Sequence, residues 1–390
     1  MKYADRMEKL GTETAFEVLA RARALEAEGR SIVHLQIGEP DFDTPKNIVD
    51  AAVNALRKGE THYTPSPGIP ALRKAIAEHV GKDRGLKCAA ENVVVVPGGK
   101  PIMNYAMFAC VNPGDEVIYP NPGFPIYESV IGLVGATPVP IPLREKNEFR
   151  LDVEELKKLI TPKTKMIIIN SPQNPTGGVL TKKDLEDVAA LAIQHDVFVL
   201  ADEIYSHVLY EGRHDSIATL PGMAERTIVL DGFSKTYAMT GWRLGYGIMN
   251  PALAAHVARL GTNSHSCTAS CVQYAGLEAL TGPQDAVLSM VAEFKRRRDL
   301  IVERLNKIHG FRCLKPKGAF YVFPNIEGTG MKSRELATRL LEEAGVAVLS
   351  GTAFGAHGEG FLRFSYANSV EQISEGVSRI EKFMASAAVK

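Results

Sequence analysis

Lys235 lies in FSKTYAMTGWRLG, and Arg243 follows it eight residues later. A lysine among hydroxyl and aromatic neighbours, placed after the apolar run TIVLDG (227–232), can snorkel to the surface or act as an amine nucleophile of lowered pKa that condenses with a carbonyl. An arginine at a set distance adds a permanent planar cation suited to phosphate or carboxylate. Similar residues close other apolar runs. VVVV (93–96) leads into PGGKP, where Gly98 and Gly99 loosen the backbone and Pro101 suits a first helical turn. That is the make-up of an anion cradle at a helix N-terminus, and also of an ordinary strand-to-helix turn. KMIIIN (165–170) leads into SPQNPTGG, with Asn174 held extended ahead of Pro175. VFVLADEIY ends on Asp202, with Tyr205 close behind. A carboxylate at the end of such a run needs a cation or donor, unless it only caps the next helix.

The elements that must position these residues are legible from periodicity. VVVV, EVIYP (116–120), KMIIIN, VFVLADE (197–203), TIVLDG and LGYGIM (244–249) alternate with segments of helical period. Continuous apolar strands alternating with helices predict an α/β domain whose mostly parallel sheet is covered on both faces, with ligands at the carboxyl ends of its strands. Past about residue 285 the pattern changes. DAVLSMVAEFKRRRDLIVERLNKI reads as one long amphipathic helix, then come short strands around FRCL, AFYVF, VAVLS and FLRFSY and helices at 332–343 and 369–384. We expect a large cofactor-binding domain over 45–285 and a smaller α+β domain built from 286–390 together with 1–44. The lysine, arginine, carboxylate, amide and glycine turn then share one sheet edge. One ligand uses every part: pyridoxal 5′-phosphate, whose aldehyde needs an amine, whose phosphate needs amides and a guanidinium, and whose ring needs a carboxylate at its nitrogen and donors at its phenolate oxygen.

Composition narrows the classes. The chain has 390 residues and 45 basic against 45 acidic side chains, so no global field recruits nucleic acid or an anionic membrane. No apolar stretch is long enough to span a bilayer and the N-terminus lacks a signal-peptide core, which predicts a cytoplasmic protein. Five scattered cysteines fit a reducing compartment rather than a disulfide framework. Cys267, Cys271 and His265 lack a fourth ligand and read as small buried residues, so no metal is expected. GxGxxG, Walker, GxSxG and HExxH patterns are absent, which argues against nucleotide-dependent redox chemistry and hydrolysis. A purely regulatory version of the fold would carry an added DNA-binding segment, for which there is no spare length.

In order, IGEPDFDTP, VVPGGKP, NPGFPIY, SPQNPTGG, ADEIY, FSKTYAMTGWRLG and FLRFSYA resemble the class I aminotransferases of the fold-type I pyridoxal-phosphate enzymes, in the branch of bacterial aspartate and broad-specificity enzymes. The resemblance runs over nearly the whole chain. It implies that Lys235 is the Schiff-base lysine and proton shuttle, that Asp202 pairs with the pyridinium nitrogen, and that Asn174 and Tyr205 donate to the phenolate oxygen. Phe124 would stack on the ring, while Gly98, Gly99, Lys100, Ser234 and Arg243 would line the phosphate site. Arg363 would fork onto the substrate α-carboxylate, with the Gly38 amide beside it. Tyr63 in THYTPSPG would reach the phosphate of a neighbouring subunit, which implies a homodimer with shared sites. Departures are Gly232, where many relatives have a serine, Lys100 in place of a small hydroxyl residue, Phe124 in place of tryptophan and Tyr127 in place of histidine. The implied reaction is ping-pong transamination between an L-amino acid, aspartate or a broader set, and a 2-oxo acid such as 2-oxoglutarate. The rivals are a C–S β-lyase, a synthase of the aminocyclopropane type, and an aminotransferase for alanine or aromatic donors.

Overall fold

A computed structural model of the chain describes residues 2–387. Its strands are β1 (Val33–His34), β2 (Val93–Val96), β3 (Glu116–Asn121), β4 (Thr137–Pro142), β5 (Thr164–Asn170) and β6 (Phe198–Asp202), followed by β7 (Thr227–Gly232), β8 (Gly245–Ile248), β9 (Tyr321–Val322), β10 (Val346–Ala347), β11 (Leu349–Ser350) and β12 (Leu362–Ser365). The helices are α1 (Thr14–Ala27), α2 (Lys46–Arg57), α3 (Pro70–Arg84), α4 (Lys100–Cys110), α5 (Ile126–Leu133) and α6 (Val153–Leu159), then α7 (Lys182–Gln194), α8 (Pro251–Ser264), α9 (Ser270–Thr281), α10 (Asp285–Leu305), α11 (Ser333–Glu342) and α12 (Val370–Ala387).

Seven strands form one sheet in the order β2-β8-β7-β6-β5-β3-β4. All neighbours run parallel except β8, which is antiparallel to both β2 and β7. The apolar runs read from sequence are therefore central strands, and they are apolar throughout because both faces are covered. Side chains alternate between those faces. Val94 and Val96 pack with Ile102 and Met103 of α4 and Val257 of α8, whereas Val93 and Val95 pack with Leu72 and Ile76 of α3 and Ala275 of α9. Farther along, Ile167 and Val199 meet Leu156 of α6 and Val188 of α7.

β4, TPVPIP, is not among the runs that the sequence singles out. Its three prolines disqualify it as a central strand, and the fold uses it as an edge, paired only with β3. Of the expected C-terminal strands, FRCL contributes only the isolated bridge of Arg312 with Asn325. The others become β9 to β12, with β11-β12-β9 forming a small antiparallel sheet. β1 pairs in parallel with β10, and α1 buries Ala22 and Leu25 against Leu341 and Ala347, so the first residues of the chain pack on the last hundred.

Candidate active site

The sheet's direction decides what meets at its edge. β2, β3, β5, β6 and β7 end on the same side, and because β8 is antiparallel its first residue, Gly245, sits opposite both Val96 and Gly232 at that side. Arg243, just before β8, therefore joins the residues that just follow the other strands. A cavity of about 530 Å³ opens there, and its walls include Gly38, Gly99, Lys100, Phe124, Asn174, Asp202, Tyr205, Ser234, Lys235, Arg243 and Arg363.

Lys235 leaves the turn after β7 and its Nζ donates to the carbonyl of Gly38 at 2.7 Å, 5.8 Å from the Phe320 ring centroid. Burial lowers the ammonium pKa to about 8; Glu39 opposes the shift, and the nearby cations Arg363 and Arg243 add to it. An amine in this position is a fair nucleophile and proton carrier near neutral pH.

Asp202 ends β6 and is 5% exposed. Burial pushes its carboxyl up to about 6, while the Tyr127 hydroxyl, donating at 2.6 Å, and the Ile204 amide, at 3.3 Å, hold it down. A carboxylate balanced so near ionisation gains from a further cation, such as a protonated ring nitrogen. Phe124 stands edge-on to Tyr127, with ring centroids 5.7 Å apart, and forms another wall of the cavity. Tyr205 shares a hydrogen bond of 2.7 Å with the hydroxyl of Tyr321, and burial pushes both phenols upward, which keeps them neutral donors.

Arg363, on β12, is held from three sides. Its Nη2 donates to the carbonyl of Gln36, its Nη1 to Asn174 Oδ1 at 3.2 Å, and its guanidinium lies between the Tyr321 and Phe354 rings, at 4.5 and 4.9 Å. Its Nε is buried without a partner. Burial lowers its pKa, yet a guanidinium keeps its charge, so a planar donor fork waits for an anion.

The opposite end of the cavity suits phosphate. Gly98 has φ +84°, and a Cβ there would collide with the Arg243 guanidinium, so only glycine lets the loop and the cation meet. Gly99 and Lys100 open α4, whose first amides carry the positive end of the helix dipole. Arg243 itself adopts φ 55°, a strained backbone for arginine, and is anchored by its Nη1 donating to the Thr240 carbonyl at 2.8 Å. The donor set, the glycine cradle and the orphaned Nε fit a ligand that bears a phosphate, a ring nitrogen and a carboxylate partner.

The other residues singled out in the sequence are placed in varied ways. The Lys100 side chain pairs with Glu13 and lies 5.4 Å from the Phe124 ring centroid, so only its backbone faces the cradle. Gly38 presents its carbonyl to Lys235, where its amide was expected to act on substrate. Gly232, in place of a phosphate-binding serine, lies within β7 and its amide donates to Asp231 Oδ1 at 2.6 Å. Tyr63 is 91% exposed and lies outside the cavity of its own chain. Among the described residues His265, Cys267 and Cys271 do not converge as metal ligands.

Sequence reasoning missed Tyr321 and Gln36. Tyr321 sits in AFYVF, where a tyrosine inside an otherwise apolar strand must find a polar partner for its hydroxyl; that requirement was the available signal. Gln36 acts through its carbonyl, which no side-chain pattern reveals.

Comparison with known proteins agrees with this geometry. A model of the family described as aminotransferase class I and II matches residues 30–380. The chain is 43% identical over 390 residues to aromatic-amino-acid aminotransferase 2 of Thermococcus litoralis, covering 98% of each chain. It is 45% identical over 359 residues to the aspartate aminotransferase of Pyrococcus abyssi, covering 91% of this chain and 92% of that one. The solved aspartate aminotransferase of Thermus thermophilus with maleate superposes with a TM-score of 0.93 at 37% identity, covering 98% of this chain and 99% of that one. A lysine, a carboxylate and an arginine fork set around one cavity, on a fold and sequence shared with these proteins along nearly their full length, place the chain among the class I and II aminotransferases, pyridoxal-phosphate enzymes that move amino groups between amino acids and 2-oxo acids.

Proposed function

We propose that Lys235, Asp202 and Arg363 are the working residues of a transaminase for dicarboxylic amino acids, aspartate or glutamate, with 2-oxoglutarate as acceptor. The single observation that carries this reading is that all three open into one cavity, together with a further cation, Lys100. When bound, pyridoxal phosphate supplies an aldehyde that condenses with amines and a ring that accepts electrons from the adjacent carbon. Gly98, Gly99, Ser234 and Arg243 would hold its phosphate, Phe124 would cover its ring, Asp202 would bind its ring nitrogen, and Asn174 and Tyr205 would face its phenolate oxygen. Lys235 would anchor it through Nζ, and as a free amine the same Nζ would take the proton from substrate Cα. Arg363 fixes the α-carboxylate, so that the Cα–H bond points at Nζ. Walls from Phe124, Phe354 and the α1 segment exclude water.

The cations divide by task. Arg243 serves the phosphate and Arg363 the α-carboxylate, which leaves Lys100, at the mouth, for a side-chain carboxylate. The maleate in the Thermus relative, a dicarboxylate, supports this division. A second reading has its own support: Glu13 already neutralises Lys100, and Phe16, Ala353 and Phe354 offer an apolar wall to an aromatic donor, as the name of the Thermococcus relative suggests. A panel of amino acids at fixed 2-oxoglutarate separates the two, with Lys100→Ala lowering kcat/KM for dicarboxylates alone if the first holds. Amino acid supplied without acceptor should release one equivalent of 2-oxo acid per site and no ammonia; sustained ammonia release would instead mark a β-lyase.

The same reading includes a cytoplasmic homodimer in which Tyr63 serves the partner's phosphate site. It also includes a division into a large domain over 45–285 and a small one from 1–44 and 286–390. The exposure of Tyr63 and the packing of α1 on the C-terminal elements support it.

A further inference from the structure

Outside the cavity, three ligating side chains converge on the far side of β6. His79 and Asp83 stand one turn apart on the same face of α3, and His207 comes from the turn after β6. The Nε2 atoms of the two histidines are 3.3 Å apart, and His207 Nε2 is 3.5 Å from Asp83 Oδ2. All three ligating atoms lie within 4.8 Å of one another, and no other such group occurs among the described residues. Two nitrogens, each about 2.05 Å from a tetrahedral zinc ion, stand about 3.3 Å apart, and a nitrogen and a carboxylate oxygen about 3.4 Å. The pairs seen here already have those separations. One Nε2–H donates to the other Nε2, the ring centroids standing 5.3 Å apart.

Asp83 and, farther off, Asp231 bring negative charge to the point, opposed by Arg84 and Lys82. Asp83 lies in the last turn of α3, at the negative end of its dipole, and His79 one turn before it. The nearest fixed cation, Arg84, commits Nη1 to Glu203 Oε2 at 2.7 Å and Nη2 to Ser206 and Asp231, while its Nε donates at 3.3 Å to Asp83 Oδ2, the oxygen that also faces His207. The side chains of His207 and Asp83 are 24% and 36% exposed, enough for an ion to enter and for water to complete its shell.

We propose that His79, Asp83 and His207 form a site for one divalent transition-metal ion of the zinc class, tetrahedral with a water as fourth ligand, which ties α3 to the turn carrying Tyr205. With the two histidines 128 positions apart, the triad matches no sequence motif. The ion takes no part in amino transfer; it clasps the segment that follows Asp202.

The test uses the holoenzyme stripped by chelator and dialysed against micromolar zinc chloride. One zinc ion retained per chain, with a melting temperature that rises with zinc concentration, is expected. His79→Gln and His207→Gln should each weaken retention at least about tenfold and abolish the melting shift, while metal-free activity stays at the wild-type level. Cobalt substitution gives an independent readout that needs no variant: visible bands of tetrahedral cobalt without thiolate charge transfer are expected. No retained zinc, equal retention by both glutamine variants, or an octahedral or thiolate cobalt spectrum would overturn the assignment.

Discussion

In the role proposed for it Lys235 acts only as a free base, so its environment sets a pH requirement. With a pKa lowered to about 8, the capture of added pyridoxal phosphate by apoprotein should quicken about tenfold per pH unit below 8 and level off above it, as followed by absorbance. The stability of the apoprotein follows with a definite sign. Between about 8 and the ordinary value of 10.5 the unfolded chain binds the extra proton, so this group's contribution to stability rises with pH across that window. Tyr127 makes a second prediction. Its hydroxyl helps keep Asp202 ionised, so Tyr127→Phe should move the acid limit of cofactor retention upward from about pH 6, readable as cofactor loss on dialysis across pH; an unmoved limit would refute the link. Arg363→Lys keeps charge but loses the fork, and kcat/KM should fall roughly 10- to 100-fold, chiefly through KM. Lys235 and Asp202 were legible because each closes or follows an apolar run with a residue that such a run cannot otherwise explain, whereas Arg363, inside β12, was legible only through the family resemblance of FLRFSYA. Tyr127 was visible only as a departure from a family pattern, since its meaning depends on Asp202, 75 positions away.

At the scale of elements, β6 and β7 are pinned by a buried cluster. Arg84 at the end of α3 bridges Glu203 and Asp231, and Ser216 donates to Glu203 Oε1 at 2.6 Å. Burial alone would raise the Glu203 carboxyl, but His214, Arg84 and Ser216 together hold it near 2. Arg84→Met leaves two buried carboxylates uncompensated and should cost about 3–5 kcal/mol in denaturant unfolding. Because the Glu203 carboxyl is depressed from 4.5, its contribution is full above that value and is lost as pH falls through about 2; Glu203→Gln should therefore flatten the acid limb of the stability curve. Strand type was readable wherever apolar runs pass through the middle of the sheet. β4 was not, because Pro138, Pro140 and Pro142 spoil the run, and an edge strand tolerates what a central one rejects. The antiparallel sense of β8 was also hidden, although it alone brings Arg243 to the working edge.

At the scale of the whole molecule, Tyr63 is an aromatic side chain with no role inside its own subunit. In the proposed dimer it completes a neighbour's phosphate site, so the protein should sediment at about twice 42.4 kDa, and Tyr63→Ala should weaken cofactor retention without lowering the melting temperature of the apoprotein. A monomer at working concentration would remove this role. The pairing of β1 with β10 and the grip of Gln36 on Arg363 join the two ends of the polypeptide. On the ribosome, the amine at 235 is made well before the arginine at 363. If these residues have the roles proposed, a nascent chain displays the nucleophile before it has any means of orienting an amino acid against it, and the order of synthesis itself delays turnover until the C-terminal residues pack onto the N-terminal ones.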